Sequence, residues 1–421
     1  MKNTKALTLL LCGNAVLQFS QGICMIAIPW YYTDILKQPS AFGVMYAIAT
    51  VATIFWNPLA GTLIDRYPRK RIFMMVAFFT GLTLLLSSLV GYQSGSIPSF
   101  FIVLVFTATL FNFNIHYPNL YAFAQEITQK GDYKRVNTYL EIQGQITLMI
   151  AGAMAALLVA GVDDGILKFL GITVQLLFSI EAWSLQKIFM LNAITYFLAV
   201  IVVSFIKYVP AEQRQIEMGS ILKRFKTGIS FLRQNPMLFV FGNASYSIFV
   251  TVLIGVIFIF PMYVSHHLNA NAQVYASSEI FFAFGAVLAG VSMQWLFKKI
   301  NTVKSIIIMM FVTAFIFWLG YFTRSVFIFY MICLLLGLSN AGTRILRVTY
   351  LFNHITNDII GRSNSVFAVI NIILRSIFLI IFSIPFITDG NNVVYAMLML
   401  GCFAFISGSV LVIYYGKMEK N

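Results

Sequence analysis

Three arginines, Arg344, Arg347 and Arg375, fall inside long apolar runs of the chain. A guanidinium withdrawn from water demands a counter-charge or a set of acceptors. Its planar fork of donors matches a carboxylate or a phosphate. Three arrangements fit: an ion pair with a carboxylate in another run, capture of an anionic group on a ligand, or extension of the side chain to the nearest polar surface. The carboxylates placed to answer these cations are Glu141 and Glu279, with Asp34 near the end of the first run. The same three acids are candidates for carrying a proton. His116 is a further titratable group in such a run; with an ordinary pKa of about 6.5 it could carry a proton or simply hold a hydrogen bond.

Neutral polar residues recur on the same runs with helical spacing. Asn14, Gln18 and Gln21 stand at i, i+4 and i+7, as do Asn112, His116 and Asn119, and as do Asn340, Arg344 and Arg347. Asn243, Tyr246 and Ser247 form a fourth set. Each set occupies one helical face. Such faces either line a polar path or tie helices together by hydrogen bonds.

The elements that must position these residues are membrane-spanning helices. Of the 421 residues, 60% are hydrophobic and 10% are charged, whereas a soluble domain carries about 25% charged residues. So much apolar surface cannot be hidden from water inside a globule, so lipid must be the solvent. A crossing takes about 20 apolar residues. The runs place helices near 6–33, 42–64, 72–91, 99–124, 138–161, 185–206, 237–264, 275–297, 304–322, 326–351, 363–384 and 393–415. The expected fold is an all-α polytopic membrane protein with twelve transmembrane helices. The first apolar stretch runs on to Tyr32 with no small-residue cleavage pattern, so it reads as a span rather than a removable signal.

The net charge of +14 could point to a nucleic-acid partner, but its distribution argues otherwise. Segments on one side hold only Lys37, Lys168, Lys187 and Arg324. Apart from the three helix arginines, the rest of the 28 cations fall on the other side. This is the positive-inside pattern. It places both termini in the cytoplasm of a bacterial-type plasma membrane and accounts for the charge without a polyanion. Cys12, Cys24, Cys333 and Cys402 lie in predicted helices without C-x-x-C spacing and read as small packing residues. His266-His267 reads as an interfacial pair rather than a metal site. No nucleophile elbow, phosphate-binding glycine loop or metal-ligand cluster stands out, so neither an enzyme nor a cofactor is expected.

The longest polar interruption runs from Lys207 to Asn235. Residues 1–206 and 237–421 would then be two six-helix halves joined by a cytoplasmic linker, 207–236. Part of that linker, Ile221–Leu232, has the pattern of a surface-lying amphipathic helix. Ile166–Trp183 is apolar but loop-like and reads as an outside amphipathic segment or an extension of its flanking helices. The halves echo each other at a nearly constant offset. Gly61 matches Gly290, Asp65 matches Gln294 and Asn14 matches Asn243, while Asn112, His116 and Asn119 match Asn340, Arg344 and Arg347. Parallel half-repeats of this kind build a large class of transporters.

Between the second and third runs stands Gly61-Thr62-Leu63-Ile64-Asp65-Arg66-Tyr67-Pro68-Arg69-Lys70-Arg71. It resembles the loop G-x-L-x-D-R-x-x-R-K of the major facilitator superfamily. Its Asp-Arg-x-x-Arg-Lys form, together with Gln125–Gln145 and Asn137, resembles the macrolide-efflux-like drug:proton antiporter branch. The chain departs from the pattern at Pro68, where glycine is frequent. It departs again between Gly144 and Gly161, where Gly152-Ala153 stands and the Gly-Pro element of antiporters does not.

The resemblance implies alternating access through a cavity lined by the first, fourth, seventh and tenth helices. Asn14, Gln18, Gln21, Asn112, His116, Asn119, Asn243, Tyr246, Asn340, Arg344, Arg347 and Arg375 would face it. Asp65 would contact a neighbouring helix end, Gly61 would allow close helix approach, and Arg66, Arg69 and Lys70 would join a gating charge network. The implied function is a monomeric secondary active transporter, exporting an amphiphilic, drug- or macrolide-like molecule in exchange for protons. Two alternatives stand beside it. One is an importer or flippase of an anionic metabolite or lysophospholipid, motivated by the intramembrane arginines. The other is a transport-dead membrane sensor.

Overall fold

The computed structural model describes residues 3–161, 166–169, 172–175, 179–209, 221–296, 300–356 and 359–418. Within these, the side chains of Asp65, Lys130, Lys134, Arg224, Gln294 and a few neighbouring positions lie outside the description. The gating role expected of Asp65 and its match to Gln294 therefore rest on side chains outside the described set, as does most of the segment 207–220.

Among the described residues, twelve helices are long and apolar enough to cross a membrane. They are α1 (Thr4–Ile35), α2 (Pro39–Arg66), α3 (Arg69–Ser94), α4 (Ser99–Ile127), α5 (Tyr133–Ala160), α6 (Leu185–Ser204), α8 (Pro236–His267), α9 (Ala272–Leu296), α10 (Thr302–Phe322), α11 (Val326–His354), α12 (Ile360–Phe382) and α13 (Val393–Met418). A further helix, α7 (Ile221–Gln234), is the short amphipathic one foreseen between the two sets of six. The helix ends carry recognisable stop and start signals. Asn3 caps α1 by accepting the Ala6 N–H at 3.0 Å, and Asn301 caps α10 by accepting that of Val303 at 2.8 Å. Gly95, with φ of 77°, closes α3 in the left-handed conformation that glycine tolerates best.

The stretch after α5 differs from expectation. It contains a two-stranded antiparallel ribbon, β1 (Ile166–Phe169) with β2 (Ile172–Gln175), in which Ile166 pairs with Gln175. Three consecutive β-branched residues, Ile172, Thr173 and Val174, favour strand over helix here.

The chain folds into two compact units. The first comprises residues 1–31, 52–217 and 272–280; the second comprises 32–51, 218–271 and 281–421. Helices α1, α2 and α9 therefore each contribute residues to both units. Within the first unit, α3 packs closely on α6 at Gly81, where a Cβ would come within 3.0 Å of the Tyr196 Cβ. Within the second, Gly285 of α9 lies against the backbone carbonyl of Leu334, and Gly337 of α11 against that of Phe282. A side chain at either glycine would collide with backbone, so α9 and α11 approach through reciprocal small residues, as membrane helices do. Phe55, Val291, Phe322 and Ile413 are exposed. Lipid-facing helices can present such side chains because their backbone polar groups are already satisfied within the helix.

Candidate functional site

In the first unit the predicted polar faces of α1 and α4 meet a third, on α5. His116 Nε2 lies 2.8 Å from Asn14 Oδ1, and Asn14 Nδ2 donates to Gln143 Oε1 at 2.5 Å. Gln143 Nε2 donates to Thr147 Oγ1 at 3.0 Å and reaches Gln18 Oε1 at 3.4 Å; Gln18 Nε2 donates to Tyr117 at 3.0 Å. Each carboxamide accepts through its oxygen and donates through its nitrogen, so the chain has one direction, from the imidazole to the phenol. Asn14 and His116 are buried, and the ring of His116 meets Phe73 edge-on at 5.0 Å. Gln21 is buried nearby on α1, with no partner for its Nε2 among the described residues.

Other members of the same faces act as ties. Asn112 donates to the Tyr196 hydroxyl at 3.2 Å, joining α4 to α6. Asn119 donates to the Arg69 carbonyl at 2.9 Å, fixing the start of α3.

The basic loop is held by specific contacts. Arg69 pairs with Glu126 at the end of α4, at 3.4 Å. The Lys70 ammonium donates to the carbonyls of Ser204 and Ile206 at 2.7 and 2.9 Å, so it caps the C-terminal end of α6. Arg66 is exposed and sits 5.8 Å from the Tyr67 ring centroid. The close approach expected at Gly61 is not present: among the described residues nothing lies within 4 Å of where its Cβ would be, and the same holds for its repeat partner Gly290. Both glycines lie near the ends of their helices, on exposed faces.

The three acids have separate environments. Asp34 pairs with Lys37 at 2.8 Å and accepts from Ser265 at 2.8 Å, so it organises a helix end. Glu141 is exposed and accepts from the Tyr121 hydroxyl at 2.6 Å. Glu279 is half-buried within α9, and no described residue gives it a hydrogen bond or a counter-charge. Beside it, α5 comes close at Gly152, where a Cβ would stand 3.3 Å from the Glu279 Cβ and 3.2 Å from the Ala276 carbonyl.

In the second unit, Arg347 is buried. Its guanidinium lies over the Tyr246 ring at 3.7 Å, and its Nη1 donates to the Ser245 carbonyl at 3.1 Å. Arg375 is also buried, with the Tyr46 phenol as its electrostatic neighbour. Three donors here, Arg347 Nε, Arg375 Nε and Asn371 Nδ2, have no acceptor among the described residues. Arg344 is exposed and places a like charge near Arg347. Asn243 donates to the Phe239 carbonyl of its own helix at 2.9 Å, and Asn340 is half-buried on α11.

The Major Facilitator Superfamily model matches this chain over residues 10–379. The chain belongs to that superfamily. Major facilitator proteins are membrane transporters rather than enzymes, and this chain is one of them. Macrolide efflux protein A of Streptococcus pyogenes is 21% identical over 333 residues, covering 78% of this chain and 76% of that protein. Among solved structures, the POT family transporter PepTSo superposes with a TM-score of 0.74 at 11% identity, covering 100% of this chain and 99% of that one. The nucleoside transporter NupG superposes at 0.71 and 11% identity, covering 97% and 99%. A bacterial homologue of the iron transporter ferroportin, in an inward-facing state, does so at 0.63 and 15% identity, covering 96% and 98%. These likenesses establish the major facilitator fold.

Gln143, Thr147 and Glu126 were not anticipated. Two signals were available. Gln143 and Thr147 share an i, i+4 face on α5, and extending the face of Asn112, His116 and Asn119 by two turns reaches Glu126.

Proposed function

We propose that this protein is a secondary active transporter that exports an amphiphilic small molecule in exchange for protons, by alternating access. The observation that carries the coupling is Glu279. A carboxylate without a partner inside a span is costly, and such residues mark proton and ion pathways. Asp34 and Glu141 already have partners. The Gly152 contact sets α5 directly beside Glu279, so a change in its protonation acts where two helices must slide or separate. The outward direction and the amphiphilic class draw support from the likeness to macrolide efflux protein A.

The test is flux in proteoliposomes loaded with a cationic or neutral amphiphile under an imposed pH gradient. The wild type is expected to move substrate against its gradient. Glu279→Gln is expected to lose the uphill movement and keep downhill exchange. Uphill movement that survives in Glu279→Gln would remove the coupling role.

A second reading is favoured by one specific feature, the three donors without acceptors around Arg347, Arg375 and Asn371. They suit a ligand bearing an anionic or acceptor-rich group. Thermal stabilisation by anionic metabolites or lysolipids alone, lost in Arg375→Gln, would make transport of an anion the better reading.

A further inference from the structure

A cavity of about 570 Å³ opens where the start of α3 meets the segment that follows α6. Lys70, Arg71 and Lys207 supply its charge, and Met74, Met75 and Tyr208 part of its apolar wall; no carboxylate lines it among the described residues. The cations are held from behind. Lys70 uses two of its three N–H groups on Ser204 and Ile206, and its backbone N–H reaches the Tyr208 hydroxyl at 3.4 Å. The carbonyl of Lys207 accepts from Asn3 at 2.9 Å, which fixes the chain carrying that ammonium. The Arg71 and Lys207 side chains themselves are exposed.

The apolar wall decides the class of ligand. Met75 is 46% exposed on the outer face of α3, and Phe205, at the end of α6, is 66% exposed. On a spanning helix such faces meet acyl chains. A free anion would use the cations and leave the methionine wall idle. A phospholipid would use both, with its phosphate on the cations and its first methylenes against the adaptable thioethers. Basic pockets between spanning helices on the cation-rich side suit anionic headgroups.

The geometry points to a binding site for one anionic phospholipid in this cavity, with Arg71 and Lys207 as the headgroup contacts. Occupancy would bridge α3 to the segment that Lys70 already ties to it. The headgroup contacts Arg71 and Lys207 are not among the residues assigned to gating, substrate or coupling, although Lys70 of the gating loop also lines the cavity.

The experiment is native mass spectrometry of the purified full-length protein in detergent, titrated with phosphatidylglycerol, with phosphatidylcholine of the same chains, or with inorganic phosphate. The double variant Arg71→Gln/Lys207→Gln is compared with the wild type and with a charge-matched control, Lys304→Gln/Lys417→Gln. The wild type and the control should retain a phosphatidylglycerol adduct, and phosphatidylcholine should bind more weakly. The Arg71/Lys207 variant should bind phosphatidylglycerol roughly tenfold or more weakly, as expected for two cations lost at a membrane surface. Equal binding of the two lipids, displacement of phosphatidylglycerol by millimolar phosphate, or equal loss in the control would each overturn the site. Thermal unfolding of both variants close to that of the wild type would exclude a folding defect as the cause of the lost adduct; a lost adduct accompanied by a matching loss of fold would count against the site.

Discussion

The guanidinium of Arg347 lies 3.7 Å above the ring of Tyr246, and the two residues belong to facing helices, α11 and α8, of one unit. A buried cation with no carboxylate partner among the described residues is thereby accommodated by a π-face and a backbone carbonyl, that of Ser245. In a desolvated setting such a contact contributes about 2 kcal/mol.

Replacing Tyr246 with Leu should therefore lower the stability of the purified protein by about 2 kcal/mol, read as a fall in its unfolding midpoint. Arg347→Lys should also be destabilising, because an ammonium cannot stack in plane and bond the Ser245 carbonyl at once. In Tyr246→Leu, the further change Arg347→Met should restore stability, since it removes the cation that the ring was holding. A double variant less stable than Tyr246→Leu alone would show that the stack is not what accommodates Arg347.

Asn14 connects His116 to Gln143. Asn14→Leu leaves the buried His116 donor and the half-buried Gln143 acceptor without this partner. A hydrogen bond between membrane helices averages about 0.6 kcal/mol, but an orphaned buried group costs about 1–3 kcal/mol. The second effect dominates here because both neighbours stay in place. The expected loss is about 1–2 kcal/mol in thermal or denaturant unfolding. Gln143→Leu should cost a similar amount, and the two together should cost less than their sum, because they break one chain. Strict additivity would mean that the bonds are independent.

Gly152 gives the third prediction. A Cβ there would meet the Ala276 carbonyl at 3.2 Å and the Glu279 Cβ at 3.3 Å, so α5 or α9 must yield by a few tenths of an ångström. Gly152→Ala should remain folded with reduced flux. Gly152→Leu should separate the helices and abolish uphill transport while the protein still purifies as a folded species. Wild-type flux from Gly152→Leu in proteoliposomes would show that the close approach has no part in the cycle.

Much of this architecture is legible along the chain because bilayer solvation imposes strong local rules. Twelve runs of apolar residues become twelve helices, and the capping residues Asn3 and Asn301 sit where the helices begin. The helical faces of α1 and α4 are also readable, since i, i+4 spacing is a property of the helix alone. The ribbon at 166–175 was less legible, because a short apolar segment between two spans carries no periodicity that separates strand from helix.

What the chain by itself determined is which residues share a helix face and which loop carries the basic signature: these follow from local geometry and from the cost of polar groups in lipid. Pairing was decided only by the tertiary structure. Glu126 answers Arg69, Gln143 completes the bridge from Asn14, Tyr246 covers Arg347, and among the described residues Glu279 has no partner beside Gly152. Each of these depends on the rotation of one helix against another, which is set by small-residue packing summed along the whole contact.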